Sequence, residues 1–235
     1  MLTFVQIIFE ALPSLMIGTG LTLQITFVSM SLGLIGGSLI GIARLSSITI
    51  VRQLARVYVD FLRGTPLLVQ IFMVYFGLPA LAKEFGLSFR LDSIFAGILA
   101  LSFNGAAYIA EIIRAGIQSI DRGQTEAAQS LGMGSMQIMR HIIFPQAFRR
   151  MIPPLGNEFI SLLKDTSLVA VIGLEELFRK GQLIVANNYR AFEIYAAVAL
   201  IYLVLTLIAS QAFSFLEESM VPIKGSYNKE YKNIK

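Results

Sequence analysis

The sequence predicts an all-α polytopic membrane protein with five transmembrane helices, and its composition and long uncharged runs carry that prediction. Of 235 residues, 55% are apolar and only 14% are charged, whereas about 25% is usual in soluble domains. The uncharged runs are as long as the ~20 residues with which a helix crosses the hydrocarbon layer. A globular protein of this chain length could not bury so much apolar surface in its core. We therefore expect residues 1–235 to form a single transmembrane domain.

Four uncharged runs predict four of the spans directly. They cover residues 11–43, 64–82, 93–110 and 194–216. With their flanks, the predicted spans are about 15–43, 57–82, 92–113 and 194–217. No lysine or arginine precedes the first run, and that run is too long for the apolar region of a signal peptide. We expect it to be retained as the first span.

The fifth predicted span, 151–174, differs because Glu158, Lys164 and Asp165 interrupt it. Each charge at the centre of a lipid-facing helix costs about 2.5–3.5 kcal/mol or more. We therefore expect the charged face of this fourth helix in the order of the chain to be turned towards protein or water.

Orientation is predicted from the basic residues, which favour the cytoplasmic side. With the N-terminus outside, thirteen of the 19 lysines and arginines fall in the segments 44–63, 114–150 and 218–235. The last of these segments contributes Lys224, Lys229, Lys232 and Lys235. The sequence thus predicts a multi-pass membrane protein with its N-terminus outside and its C-terminus in the cytoplasm.

Several classes of function are excluded by residue types that are missing from the sequence. There is no cysteine and only one histidine, His141, so neither a thiolate metal site nor a histidine-rich relay is possible. The lone His141, predicted at the cytosolic surface, also argues against a membrane-embedded enzyme. No G-x-x-x-x-G-K-[ST] phosphate-binding loop occurs. We expect this chain to bind no cofactor, metal or nucleic acid of its own.

The cytoplasmic segment 122–148 is the most polar stretch between two apolar ones. Good helix formers precede Gly132, which is expected to end a first helix. Ser135 is expected to cap a second helix that ends at Pro145. Ala127, Ala128 and Leu131 would form a small apolar face. Two interpretations fit this pattern equally: a docking surface for another protein, or an amphipathic connector on the membrane surface.

The charged fourth helix carries the candidate substrate-binding residues. Glu158, Ser161 and Asp165 fall on one helical face, with Asn157 and Lys164 beside it. Ionisable groups within a span mark functional sites by default; in the alternative, Lys164 and the acids neutralise one another across a subunit contact. Asn104, near the middle of the third span, is expected to hydrogen-bond a neighbouring helix or to contact substrate.

Two further charged groups have structural interpretations. Arg63 is expected to pair with Asp60 or to extend to lipid headgroups. Glu111 and Arg114 are expected to form a surface ion pair one helical turn apart.

Three motifs resemble the permease subunits of bacterial ABC importers. Glu126-Ala127-Ala128, Gly132 and the run from Ile142 to Pro145 match the EAA loop of that family, with Phe144 where leucine is usual. The stretches "RGTPLLVQIFMVYFGLP" (63–79) and "ISLLKDTSLVAVIG" (160–173) resemble its polar amino acid uptake members. Together the three motifs span most of the chain.

This resemblance implies a location in the bacterial inner membrane and an importer made of several kinds of subunit. The 122–148 loop would be a coupling helix seated in a separate ATP-binding subunit, where Glu126 meets basic residues and Ala127, Ala128 and Gly132 allow close packing, with Pro145 closing the motif. Two such subunits would carry ATP and Mg²⁺. The remaining partners would be a second permease copy, identical or related, and an extracytoplasmic amino-acid-binding protein.

The resemblance also implies an amino acid substrate, and the acidic residues favour a cationic one. Glu158 and Asp165 lie about 10 Å apart along a helix, a separation that suits two ends of arginine, lysine or histidine. Lys164 or Arg63 would meet the substrate carboxylate. The alternatives are glutamine or another polar amino acid, or an ion-coupled secondary transporter with Glu158, Lys164 and Asp165 as its relay.

Overall fold

The computed structural model describes residues 4–220, with only the backbone described at Val5, and every regular element in that range is helical. This confirms the all-α prediction. The helices are α1 (Phe4–Ala43), α2 (Thr49–Gly64), α3 (Leu67–Phe72), α4 (Leu78–Glu84), α5 (Ser93–Gln118), α6 (Arg122–Ser130), α7 (Ser135–Ile138), α8 (Phe144–Asp165), α9 (Leu177–Asn188) and α10 (Ala191–Met220). The basic tail used in the orientation prediction (Lys224, Lys229, Lys232 and Lys235) lies outside the described residues.

Four stretches within residues 4–220 are long and apolar enough to cross a membrane. They are Gln6–Ala43, Leu67–Glu84, Ser93–Gln118 and Ala191–Met220. The predicted span 151–174 is not among them: α8 carries Glu158, Lys164 and Asp165, and the chain continues after Asp165 as a 3₁₀ helix, Thr166–Ile172. A total of five spans stays a prediction.

Helix α5 lies at the centre of the fold and packs closely along α1. A Cβ atom added at Gly37 would lie 2.7 Å from Ile109 Cβ and 2.8 Å from the Ala106 carbonyl oxygen. Only glycine permits that approach, which is the usual way helices pack in membranes. On the other side of α5, the core includes Leu101, Leu163 and Val169, so α5 ties α1 to α8 and the 3₁₀ helix.

The predicted span 57–82 is broken between α2 and α3. Thr65 is extended, with φ −118° and ψ 146°, as expected for a residue before proline. Helix α2 packs Val59 and Leu62 onto α5, against Ala107 and Ala110. A broken helix at membrane depth is tolerated where its free backbone groups find protein partners or face a cavity.

Two π turns interrupt otherwise continuous helices. They span Met73–Gly77 and Met139–Ile143, and in each the residue after the turn donates its N–H to the carbonyl of the turn's first residue. Each turn is followed two residues later by a proline, Pro79 or Pro145. The wider turn gives room for a ring that would clash with the carbonyl four residues earlier.

The structure corrects two predictions for the helix that begins at Ser135. The helix that begins at Ser135 does not end at Pro145 but continues through the π turn into α8. Its N-cap is Gly134 rather than Ser135, and the Gly134 N–H donates to Gln137 Oε1 at 2.9 Å.

Candidate functional site

A cavity of about 370 Å³ opens where the α2–α3 break meets α5 and α8. It is lined by Thr65, Pro66, Leu67, Asn104, Tyr108, Glu158, Ser161, Lys164 and Asp165. Its volume lies in the ~300–1,000 Å³ range of small-molecule sites. Five of the six candidate substrate-binding residues are thereby brought together from helices that are remote in sequence. The sixth, Asn157, is exposed and is not among the lining residues.

In the part of the chain that the structure describes, the charged residues of this cavity form no salt bridge. In residues 4–220, neither Glu158 nor Asp165 lies within 4.0 Å of a basic group, and Lys164 has no carboxylate within that distance. Lys164 therefore forms no salt bridge with Glu158 or Asp165 within the described chain. Pairing of these groups across a contact with a second chain stays a prediction. Three charged groups consequently face the cavity without a salt bridge, although Lys164 still acts electrostatically on Asp165, and Arg63 on Glu158.

Asn104 is held by a residue that sequence reasoning missed. Its Nδ2 donates to Gln70 Oε1 at 3.0 Å, and Gln70 Nε2 donates to the Leu62 carbonyl at 2.8 Å and to Thr65 Oγ1 at 2.9 Å. Gln70 thus satisfies backbone released by the helix break and links it to α5. Asn104 is therefore an interhelical hydrogen-bond partner, as predicted, and it also lines the cavity. Its contact with substrate stays a prediction.

Arg63 lies next to the cavity but does not pair with Asp60 as predicted. Its guanidinium carbon lies 5.2 Å from the centre of the Tyr108 ring, a cation–π distance. Its Nη1 is 3.9 Å from Glu111 Oε2. Arg63 therefore contacts two residues of α5 rather than Asp60, which lies on its own helix.

Glu111 is the centre of a larger cluster than the predicted surface pair. Arg114 Nη2 bonds its Oε1 at 2.5 Å, and Arg44 at the end of α1 bonds its Oε2. The three arginines that surround it come from α1, α2 and α5, so this carboxylate fastens three helices together.

A second buried carboxylate, Glu176, was not singled out from the sequence. It is fully buried at the start of α9 and accepts from Phe178 N at 3.0 Å, Arg179 N at 2.8 Å and Tyr202 Oη at 2.8 Å. Thr22 Oγ1 donates from α1 at 3.4 Å. The neighbouring Glu175 is exposed and bonds Lys180 Nζ at 2.5 Å; this contact lowers the pKa of Glu175.

The segment 122–148 folds as a short elbow. Asp121 caps α6 by accepting from Gly123 N, and Gly132 ends the helix with φ +77°. The N–H of Gly132 donates to the Gln129 carbonyl and that of Met133 to the Ala128 carbonyl, which is a Schellman motif. The predicted stop at Gly132 is confirmed.

The elbow displays an apolar surface that the rest of the described chain does not cover. Leu131 is 83% exposed and Met136 is 78% exposed. Glu126 and Ala127 are exposed as well, and no basic group of residues 4–220 lies within 4.0 Å of the Glu126 carboxylate. Ala128 was predicted to face a partner, but it is buried against its own chain.

This combination of apolar helices, a broken span beside a charged cavity and an exposed elbow agrees with the comparison to known families. Residues 33–221 match the family described as "Binding-protein-dependent transport system inner membrane component". The chain belongs to this family of permeases. The resemblance carried by the three sequence motifs is thereby confirmed.

Individual relatives of the permease cover almost its whole length. The glutamine transport system permease protein GlnP of Escherichia coli K12 is 42% identical over 213 residues, which are 91% of this chain and 95% of that protein. The arginine transport system permease protein ArtQ of Bacillus subtilis is 41% identical over 197 residues, 84% of this chain and 88% of that one. A solved crystal structure of an amino acid ABC transporter with histidines superposes with a TM-score of 0.85 at 41% identity, covering 93% of this chain and 99% of that chain.

Membership of the family fixes the part that the permease plays. It is an inner membrane subunit and not itself an enzyme, since ATP hydrolysis belongs to a separate subunit. The family also implies a binding-protein partner and a dimeric arrangement. The direction in which the termini point stays a prediction.

Proposed function

We propose that the permease forms the translocation pathway of an ATP-driven amino acid importer, that the cavity at the α2–α3 break binds the amino acid, and that cationic amino acids are favoured. The observation that carries this proposal is the pair of acidic side chains, Glu158 and Asp165, that line the cavity without a basic partner in the described chain. In an apolar setting an unpaired carboxylate attracts a cation, and a neutral ligand leaves that charge unpaired.

The cavity offers complementary groups for each end of such a substrate. Two carboxylates about 10 Å apart along α8 suit an α-ammonium group and a basic side chain. Lys164 and the first turn of α3 serve the substrate carboxylate, because Pro66 leaves that turn without a side-chain cap and Leu67 lines the cavity. Helix N-termini at broken spans bind substrate carboxylates in other transporters.

The relatives support an amino acid substrate and leave two candidates for its side chain. The superposed crystal structure is of an amino acid ABC transporter with histidines, and ArtQ is named for arginine. GlnP is named for glutamine, and the Asn104–Gln70 amide pair at the cavity wall favours that second candidate. An ion-coupled transporter has less support, because it leaves the exposed elbow without a role.

The elbow is proposed to couple this cavity to the ATP-binding subunits. Its exposed Glu126, Ala127, Leu131 and Met136 would seat in that subunit, and the bound ATP and Mg²⁺ would reside there rather than on this chain. Two permease copies, identical or related, would alternate between inward-facing and outward-facing states. The extracytoplasmic binding protein would deliver the amino acid on the side of the predicted outer N-terminus.

Transport by the reconstituted importer tests the substrate proposal. Permease, ATPase and binding protein are placed in proteoliposomes, and uptake of arginine, glutamine and glutamate is compared. Glu158→Gln should reduce arginine uptake roughly ten- to hundred-fold, the effect of losing a charged hydrogen bond, with a smaller effect on glutamine. Glu218→Gln is the matched control, since Glu218 is exposed near the end of α10. Glutamate as the best substrate, or unchanged arginine uptake by Glu158→Gln, would refute the cationic site.

Co-purification of the ATPase tests the coupling proposal separately. Glu126→Lys should weaken ATPase binding by about ten-fold or more because it reverses the charge at the contact, and Glu126→Gln should have a smaller effect. Gly132→Val should also reduce assembly, since a β-branched residue is strained at positive φ. Gly134→Ala is its control, because Gly134 has φ −73°. Normal assembly with both Glu126→Lys and Gly132→Val would show that the elbow is not the coupling surface.

Single cysteines in this cysteine-free chain test the proposed orientation. Lys83→Cys and Gln137→Cys alter exposed positions on the two predicted faces. A membrane-impermeant thiol reagent added to spheroplasts should label the first and not the second. The reverse pattern would invert the topology without affecting the assignment of the cavity.

A further inference from the structure

A second and larger concavity lies away from the charged cavity, at the end of α1. Its volume is about 820 Å³, and it lies among the end of α1, the loop to α2, α5, the elbow and α8. Among the described residues that line it, Ser38, Ser46 and Ser47 are polar and the others are apolar. We call it the apolar groove.

The walls of the apolar groove remain open in the described chain. Leu39 is 66% exposed and Ile42 is 62% exposed on α1, and Phe144 is 50% exposed on the opposite side. Met136, Met139 and Met151 also line it, and methionine adapts its shape to irregular apolar ligands. Such a surface gains free energy when an apolar chain covers it, at about 25 cal/mol per Å².

A basic side chain, Arg52, is hydrogen-bonded to Ser46, which is one of the residues that line the groove. Arg52 Nη1 donates to the Ser46 carbonyl at 2.8 Å and Nη2 donates to Thr49 Oγ1 at 3.4 Å. No carboxylate of residues 4–220 lies within 4.0 Å of Arg52. A guanidinium has five N–H donors, so Arg52 keeps donors and a full positive charge for an anion. Arg44, by contrast, is already bonded to Glu111.

We propose that the apolar groove binds an acyl chain of an anionic phospholipid, whose phosphate is bound by Arg52. The groove begins along the last turns of a membrane span, Gln6–Ala43, and ends at the loop that follows it. An acyl chain beside α1 therefore places its headgroup at the level of Ser46 and Arg52. Basic groups at such positions recognise anionic lipids.

Native mass spectrometry of the full permease–ATPase complex tests this site. The complex is released from bilayers into mild detergent and supplied with phosphatidylglycerol or with phosphatidylethanolamine of identical chains. Wild type should retain phosphatidylglycerol in preference. Arg52→Gln should lower phosphatidylglycerol retention about five-fold, equivalent to about 1 kcal/mol for one basic residue at a membrane surface. Ser38→Phe, which fills the groove, should lower retention of both lipids.

Two matched variants control for general effects on the membrane surface. Arg56→Gln removes an exposed arginine one turn further along α2, and Ser31→Phe enlarges an exposed serine on α1 outside the groove. Both should retain phosphatidylglycerol as wild type does. Equal retention of the two lipids by wild type, or unchanged retention by Arg52→Gln, would refute the proposal.

Two competition arms distinguish other occupants. Inorganic phosphate that displaces phosphatidylglycerol completely at millimolar concentration would identify a free-anion site rather than a lipid site. Phosphatidylglycerol bound to the isolated permease but absent from the assembled complex would identify the groove as part of the ATPase contact. Either outcome would overturn the assignment, whereas retention in the complex without phosphate competition supports it.

Discussion

Glu111 and Glu176 differ sharply from Glu158 and Asp165, although all four carboxylates lie among apolar helices. Glu176 accepts from two backbone N–H groups and two hydroxyl groups, and Glu111 is bonded by Arg44 and Arg114. Glu158 and Asp165 line a cavity and have no basic partner in residues 4–220. The same chemical group therefore serves the fold at one place and is available to a ligand at another.

The difference shows how to separate structural charges from functional ones in a membrane protein. A buried charge is costly unless hydrogen bonds or opposite charges replace the water it has lost. At Glu176 and Glu111 the chain itself supplies that replacement, so their removal should be felt in stability. At Glu158 and Asp165 the replacement has to come from a ligand, water or a partner chain, so their removal should be felt in transport.

The largest effect on stability is expected from Glu176→Ala. It leaves the Phe178 and Arg179 N–H groups and the Tyr202 hydroxyl without their acceptor, and each lost partner costs about 1–3 kcal/mol. We expect a loss of about 3 kcal/mol or more in the free energy of unfolding. Thermal unfolding of the detergent-solubilised permease measures it. Glu175→Ala, at the exposed neighbour, should stay within about 0.5 kcal/mol of wild type, and equal effects of the two would contradict the structural role of Glu176.

Glu111→Gln should have the next largest effect. It removes the negative charge shared by Arg44 and Arg114 while keeping the shape of the side chain. Because the carboxylate is 23% exposed, we expect only about 1–2 kcal/mol of destabilisation, less than for a fully buried pair. The same unfolding assay measures it, with Glu218→Gln as the control for loss of one charge. A variant as stable as wild type would show that the cluster does not fasten α1 to α5.

Asn104 and Gln70 form an intermediate case, because their hydrogen bond belongs to the wall of the cavity. A double-mutant cycle with Asn104→Leu and Gln70→Leu should give a coupling energy of about 1 kcal/mol, the net value of one buried hydrogen bond. The cycle is measured by thermal unfolding without substrate. Additive effects would mean that Gln70 holds the α2–α3 break independently of α5.

The smallest effect on stability is expected from Glu158→Gln and Asp165→Asn. Neither removes a described ion pair, so each should leave the free energy of unfolding within about 0.5 kcal/mol of wild type, or raise it slightly. The same variants are expected to impair arginine uptake. Destabilisation comparable to that of Glu176→Ala would show that Glu158 and Asp165 also stabilise the fold, and it would refute the distinction between the two kinds of carboxylate.

Local signals in the sequence were sufficient for the four apolar spans and for part of the site, but not for α9. The uncharged runs led to the apolar spans, the positive φ of Gly132 follows from its place after α6, and the spacing of Glu158, Ser161 and Asp165 already placed them on one face. The Thr65-Pro66 pair is also a local signal for a break in the helix, but the span 57–82 was predicted without one. These features depend on neighbouring residues, which sequence periodicity reports directly.

Long-range partners were not accessible in the same way. Glu176 is bonded by Thr22 and Tyr202, which are 154 and 26 residues away, and no local pattern selects those residues. Arg63 was predicted to pair with Asp60, three residues away, or to extend to lipid headgroups, but its described contacts are with Tyr108 and Glu111. The predicted end at Pro145 was wrong because the restriction that proline places on the preceding residue was considered without the π turn that accommodates the ring.

Each π turn also changes how far the helical segment after it is rotated about the helix axis relative to the segment before it. A π turn holds one residue more than the α-helical path would, and one residue corresponds to about 100° of rotation. The elbow and α8 are thus out of phase by that angle relative to an uninterrupted helix from Ser135 to Asp165. Deleting one residue of Met139–Ile143 would restore regular winding, and Met136 and Ile138 would then point to different sides relative to Glu158. The direction in which the elbow presents its surface is therefore set by the winding of a single turn.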